Sequence, residues 1–132
     1  MPYRACSLAV LLAITLFSGF APAAEPAAQK CDVGPLNATY GKTQWLVYSC
    51  NNEKAEGNAM LVLVSAPGNP AMPFVFFFYV KNGAYRLYGE GTGDKKATQA
   101  AVLELQQLSE PQIAKLILRT RQVRRARATQ GG

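Results

Sequence analysis

The sequence predicts an α+β domain: a four-stranded antiparallel β-meander followed by two C-terminal α-helices packed on one sheet face. Three observations carry this expectation. Four runs rich in β-branched and aromatic residues follow one another over residues 43–88, separated by short polar or Pro- and Gly-containing connections. Parallel strands would need crossover helices between them, and no connection is long enough to hold one. After residue 89 the apolar spacing changes to the helical period in two successive stretches.

The first run, residues 43–50 (Thr-Gln-Trp-Leu-Val-Tyr-Ser-Cys), is made almost wholly of good strand formers. The second, residues 59–65 (Ala-Met-Leu-Val-Leu-Val-Ser), is apolar on both faces. Between it and the third run, Pro67-Gly68, Asn69-Pro70 and Pro73 predict a loop with little freedom. The third and fourth runs form a hairpin. Asn82-Gly83 is the preferred pair for a two-residue turn in which both central residues need positive φ. That turn sets Lys81 opposite Ala84, Val80 opposite Tyr85, Tyr79 opposite Arg86, Phe78 opposite Leu87 and Phe77 opposite Tyr88. Strand alternation then places Phe74, Phe76, Phe78, Val80, Tyr85 and Leu87 on one face, which reads as core. Val75, Phe77, Tyr79, Arg86 and Tyr88 share the other.

Asp94 is a suitable N-cap for the first helix, whose apolar side carries Ala97, Ala101, Val102, Leu105 and Leu108. Ser109-Glu110-Pro111-Gln112 has the form of a capping box with Pro in the first turn. The second helix then presents Ile113, Leu116, Ile117, Thr120 and Val123 on one face. Past Val123 that face carries Arg124 and Arg127, so the helix end is expected to project or fray.

The N-terminus reads as a processing signal. Arg4 precedes an apolar run over residues 8–20, and Ala21-Pro22-Ala23 supplies small residues for cleavage. Such a run is shorter than the ~20 residues needed to span a bilayer. Residues 1–23 are thus expected to be a cleaved signal peptide, residues 24–42 a leader and N-terminal segment tied down by a disulfide, and residues 43–128 a single domain with a basic helix end. Export follows, to the periplasm in a Gram-negative source and to the medium otherwise, with no transmembrane segment left after cleavage. Of the three cysteines, Cys6 leaves with the signal. Cys31 and Cys50 then form the only intramolecular pair, in a compartment where disulfides persist. Residues 31–42, with Gly34-Pro35 and Gly41, are expected to turn along the sheet under that tether.

Composition excludes several function classes. There are 14 basic and 8 acidic residues and no histidine. Without histidine the commonest general base and metal ligand is missing, and no serine sits in a nucleophile-elbow pattern. The acids fall mostly at turns and helix ends, and none is embedded in an apolar run where burial would fit it for acid–base work. No catalytic residue, metal site or cofactor is implied, and the expectation is a non-catalytic protein. The glycine-rich stretch over residues 89–93 invites comparison with a phosphate cradle. With no βαβ unit and with Glu90 inside it, it reads as a chain reversal.

Two surfaces remain as candidates. Every strand is apolar on both faces, whereas an antiparallel sheet with one wet face alternates. The helices cover one face, so the other is covered by residues 31–42, by sheet curvature or by a partner. Phe77, Tyr79, Arg86 and Tyr88 on that face have the composition of an interface core. The second surface is Arg119, Arg121, Arg124, Arg125 and Arg127, with no acid among them, suited to an anionic envelope surface. The expected function is therefore a small exported binding or accessory protein acting through its aromatic sheet face on a protein partner or a second copy. The alternatives are an anionic-surface binder using the arginine-rich helix and an inhibitor of a secreted enzyme. Nucleic acid is not an expected partner of an exported chain.

Overall fold

The computed structural model of the protein describes residues 30–51 and 57–131. The expected signal segment and nearly all of the leader lie outside the described residues. The chain builds an antiparallel sheet from β1 (Val33–Tyr40), β2 (Thr43–Ser49), β3 (Ala59–Ser65), β4 (Phe74–Lys81) and β5 (Ala84–Gly91). Two helices follow, α1 (Lys95–Leu105) and α2 (Glu110–Gln130). Strand order in space equals order in sequence, which is a meander, and its class is the α+β class expected.

The sheet has five strands rather than four. The extra one is β1, which lies inside the segment expected only to turn along the sheet. Its signal is broken by Gly34-Pro35, a pair that ordinarily ends strands. Here the pair sits in an irregularity between Val33, opposite Ser49, and Leu36, opposite Val47. A bulge leaves its extra residues outside the ladder, so the missing proline N–H costs no strand bond. Beyond it, β1 pairs regularly as far as Tyr40 opposite Thr43.

The β1–β2 turn is Gly41-Lys42, with φ of +60° and +62°. Both residues are left-handed, as a two-residue hairpin demands, but lysine rarely accepts that region and the pair does not announce itself. Gly41 is there for a second reason. A Cβ on it would lie 2.5 Å from the Ala101 nitrogen and 2.8 Å from the Ala100 carbonyl carbon, so α1 rests directly on this turn. The buried Trp45 indole N–H is satisfied at the same corner, donating to the Tyr40 carbonyl (3.2 Å) and to Thr43 Oγ1 (3.0 Å).

The β4–β5 hairpin has the register expected from Asn82-Gly83, from Lys81 opposite Ala84 to Phe77 opposite Tyr88, and it continues to Phe74 opposite Gly91. Both turn residues have positive φ. Both helix starts form as their sequences direct. The Asp94 carboxylate accepts from the Ala97 N–H (3.0 Å), and Ser109 and Gln112 make the reciprocal pair of a capping box.

One sheet face and the two helices enclose the core. Trp45, Val47, Leu61, Leu63, Phe76 and Phe78 meet Ala97, Ala101, Leu105, Ile113, Leu116 and Ile117. The Trp45 and Phe76 rings are tilted against each other with centroids 5.0 Å apart. Burial pushes the Tyr40 phenol up from its ordinary value, with Arg119 opposing the shift and Glu104 adding to it.

Two hydroxyls are sealed in this layer. Ser49 on β2 and Thr120 on α2 hydrogen-bond to each other at 2.7 Å, and Thr120 donates to the Ile117 carbonyl at 2.6 Å. Thr120→Val keeps the volume but leaves Ser49 without this partner, which costs about 1–3 kcal/mol. Adding Ser49→Ala removes the orphan, so the double variant is expected to recover most of that loss. A double-mutant cycle in urea checks this: strictly additive losses would show that the two hydroxyls are uncoupled.

Candidate functional site

The opposite sheet face is apolar across four strands. Register places Tyr48, Val62, Phe77 and Tyr88 in one cross-strand row, and Leu46, Val64, Val75 and Glu90 in the next. The reason is local: β2, β3 and β4 carry apolar residues at both odd and even positions, so a slip of one residue could not give these strands a polar face. Phe77 and Tyr79 are half-buried, Arg86 is exposed, and Tyr88 is 53% exposed. The Phe77 and Tyr88 rings stack with centroids 6.4 Å apart. Beside them, Gly57, Ala59, Phe77, Tyr79 and Tyr88 line an open apolar depression of about 340 Å³.

Residues 31–42 do not close over this surface. As β1 they extend the sheet at its edge, so that explanation of the two-faced apolar pattern is corrected. The four residues singled out on the hairpin stand together, with Tyr79 opposite Arg86 and Phe77 opposite Tyr88.

A second recess was not legible in the sequence. Phe78, Tyr85 and Leu87 on the helix-facing side, with Leu105, Leu108 and Ile113, line a cleft of about 330 Å³ under the hairpin. The alternation rule assigned Tyr85 and Leu87 to the core, and both do pack against it while remaining half-buried. The helix layer is displaced toward the other end of the sheet: α2 packs on β1 and β2, and α1 on β1. Sequence periodicity reports which face a helix covers, not how far along the sheet it lies.

The arginines behave differently. α2 continues as helix to Gln130, well beyond Val123, the last residue of its buried stripe that packs on the core. At about 100° per residue, Arg119, Arg121, Arg124, Arg125 and Arg127 spread around roughly two-thirds of the helix circumference. They make a basic rod, not a patch. Arg119 acts electrostatically on Tyr40, and Arg121 is half-buried. Arg124 lies 3.6 Å from Asp32, both well exposed, in a contact that screening leaves weak. Arg125 and Arg127 are exposed.

The chain matches no protein-family model, no curated protein and no solved structure. Among the described residues no group of His, Cys, Asp and Glu could hold a metal ion, and no helix is long and apolar enough to cross a membrane. The glycine-rich stretch that resembles a phosphate cradle has a packing explanation. The Thr92 and Gly93 N–H groups both donate to the Pro73 carbonyl, at 3.0 and 3.3 Å, and are turned away from any anion. The Cys31–Cys50 disulfide forms as expected.

Proposed function

We infer that this is a small exported, non-catalytic binding protein that receives an apolar or aromatic segment of a protein partner on its second sheet face. The observation that carries the reading is the Tyr48–Val62–Phe77–Tyr88 row, apolar across four strands and ending at a half-exposed tyrosine. Such a surface is costly to leave in water, and aromatic residues beside one arginine are the composition that interface cores favour. Export is supported by the disulfide and by the order of charge, apolar run and small residues over residues 1–23. Inhibition of a secreted enzyme is one form this binding can take.

Selection of random displayed peptides on the purified protein tests the reading. Apolar and aromatic peptides should emerge, and Phe77→Ala or Tyr88→Ala should weaken them at least about tenfold, as for a central interface anchor. Peptides indifferent to both substitutions would sink it.

One feature favours a second reading. After Glu110 the chain carries no acid, and its arginines lie on a helix that outruns the sheet. A phosphate-bearing envelope surface suits arginine, whose planar fork pairs with such oxygens bidentately. Binding to vesicles rich in anionic lipid, lost at high salt and on replacing Arg124, Arg125 and Arg127 by Gln, would support it. Binding indifferent to both would count against it.

A further inference from the structure

The two edges of the sheet are built differently. β1 is interrupted by Pro35 and a bulge, devices that discourage pairing with another strand. β5 runs for eight residues with no proline and no bulge, paired only with β4 among the described residues. In a two-residue hairpin, Lys81 and Ala84 form the closing hydrogen-bonded pair, so Arg86, Tyr88 and Glu90 direct their backbone groups at β4. Tyr85, Leu87 and Gly89 alternate with them and direct theirs outward. A strand laid against β5 must therefore satisfy that second set.

We propose that the strand is the β5 of a second copy of this chain, antiparallel about a two-fold axis at Tyr88, joining two sheets into one. Outward-facing residues must pair with outward-facing residues, which restricts the register to steps of two. Centred on Tyr88, Arg86 of each copy falls opposite Glu90 of the other, on the same sheet face. A two-fold moved one residue, to Leu87 or to Gly89, would set Tyr88 opposite Arg86 or opposite Glu90 and leave both charges without an opposite charge. One moved to Arg86 or to Glu90 would set like charges against each other. Neither Arg86 nor Glu90 has an ion-pair partner within the described chain. They are the two charges flanking Tyr88 on this strand. Opposite charges facing across strands stabilise a pair, and like charges oppose it.

Shape agrees with charge. On the helix-facing side, Leu87 falls opposite Gly89 of the second copy, and Tyr85 opposite Gly91. Gly89 bears no side chain, and the Phe74 and Phe76 rings fill the space its Cβ would take. Leu87 of the second copy thus meets an aromatic floor instead of a clash, and its half-exposed surface is covered. On the other face the two aromatic rows meet at Tyr88, giving one continuous surface. The pairing stands independently of the partner inferred above for that surface, since it uses the strand edge.

Light scattering and sedimentation of the purified protein, from about 1 μM to about 1 mM, test the proposal. A dimer is expected, with Arg86→Glu and Glu90→Arg each shifting the midpoint at least tenfold toward monomer. Both side chains are exposed, so circular dichroism should stay unchanged. An equimolar mixture of the two variants should recover the dimer, because each restores both charge pairs with the other and neither does with itself. Tyr88→Cys should cross-link two copies without reductant, the facing Cα atoms of such a pair lying about 4.5 Å apart. A monomer across the whole range would overturn the pairing. So would a dimer that ignores both charge reversals, which would place the contact on another surface.

Discussion

Gly93→Ala is expected to destabilise the fold by about 3 kcal/mol or more, a large share of the 5–15 kcal/mol that domains possess. Gly93 is where the chain leaves β5 for α1, and it passes directly against the loop between β3 and β4. A Cβ there would fall within the Ala71 carbonyl group and 2.9 Å from Ala71 Cα. Neither side can give way. Ala71 is fully buried, and its N–H donates to Asn69 Oδ1 at 2.8 Å. Asn69 in turn donates from its side chain to the Gln44 carbonyl at 2.7 Å, which ties the loop to β2. From the other direction Asp94 N–H reaches the Pro70 carbonyl at 3.1 Å. The comparison that isolates this contact is Gly68→Ala. That glycine has φ +85° with nothing within 4 Å of the new methyl, so only the left-handed backbone is penalised, by roughly 1–2 kcal/mol. Urea midpoints for the two variants decide the matter. Equal losses would mean that the junction relaxes and that packing at Gly93 is not limiting.

Replacing Cys31 and Cys50 together by Ala is expected to cost about 3 kcal/mol, from a closed loop of about 20 residues in the chain-entropy account. The bond joins the residues flanking β1 and β2 at the open end of their hairpin. Backbone pairing continues there, with Asn51 N–H donating to the Lys30 carbonyl at 2.9 Å and Lys30 N–H to Asn51 Oδ1 at 2.7 Å. β1 is the edge strand, held otherwise by its ladder to β2 and by the helices. Loss of the bond should therefore act unevenly. Hydrogen exchange should quicken most in β1, while β4 and β5 quicken only as far as the global stability falls. A uniform change over all five strands would show that the bond acts through the unfolded chain alone. Reductant should reproduce the effect in the parent protein and leave the double variant unaffected.

How much of this was legible beforehand differed by element, for a physical reason. Asn82-Gly83 determined the β4–β5 register because a two-residue turn constrains both of its strands, and nothing distant can outvote it. The same holds for Asp94, Ser109 and Gln112, whose side chains reach N–H groups three residues away. The disulfide partners followed from a count of cysteines. β1 was not legible, because its pairing with β2 depends on a bulge in β1 that takes up Gly34-Pro35 and on α1 resting against Gly41.

The candidate surface shows the same division. Strand alternation was enough to gather Phe77, Tyr79, Arg86 and Tyr88 on one face, since that is a property of neighbours in sequence. Only the tertiary structure decided that β1 extends the sheet edge rather than covering that face. It also placed the helices toward β1 and β2, leaving the cleft under Tyr85 and Leu87, and left β5 as the uninterrupted edge. Those outcomes depend on where separate elements meet, and packing between distant residues is what no local pattern of side chains records.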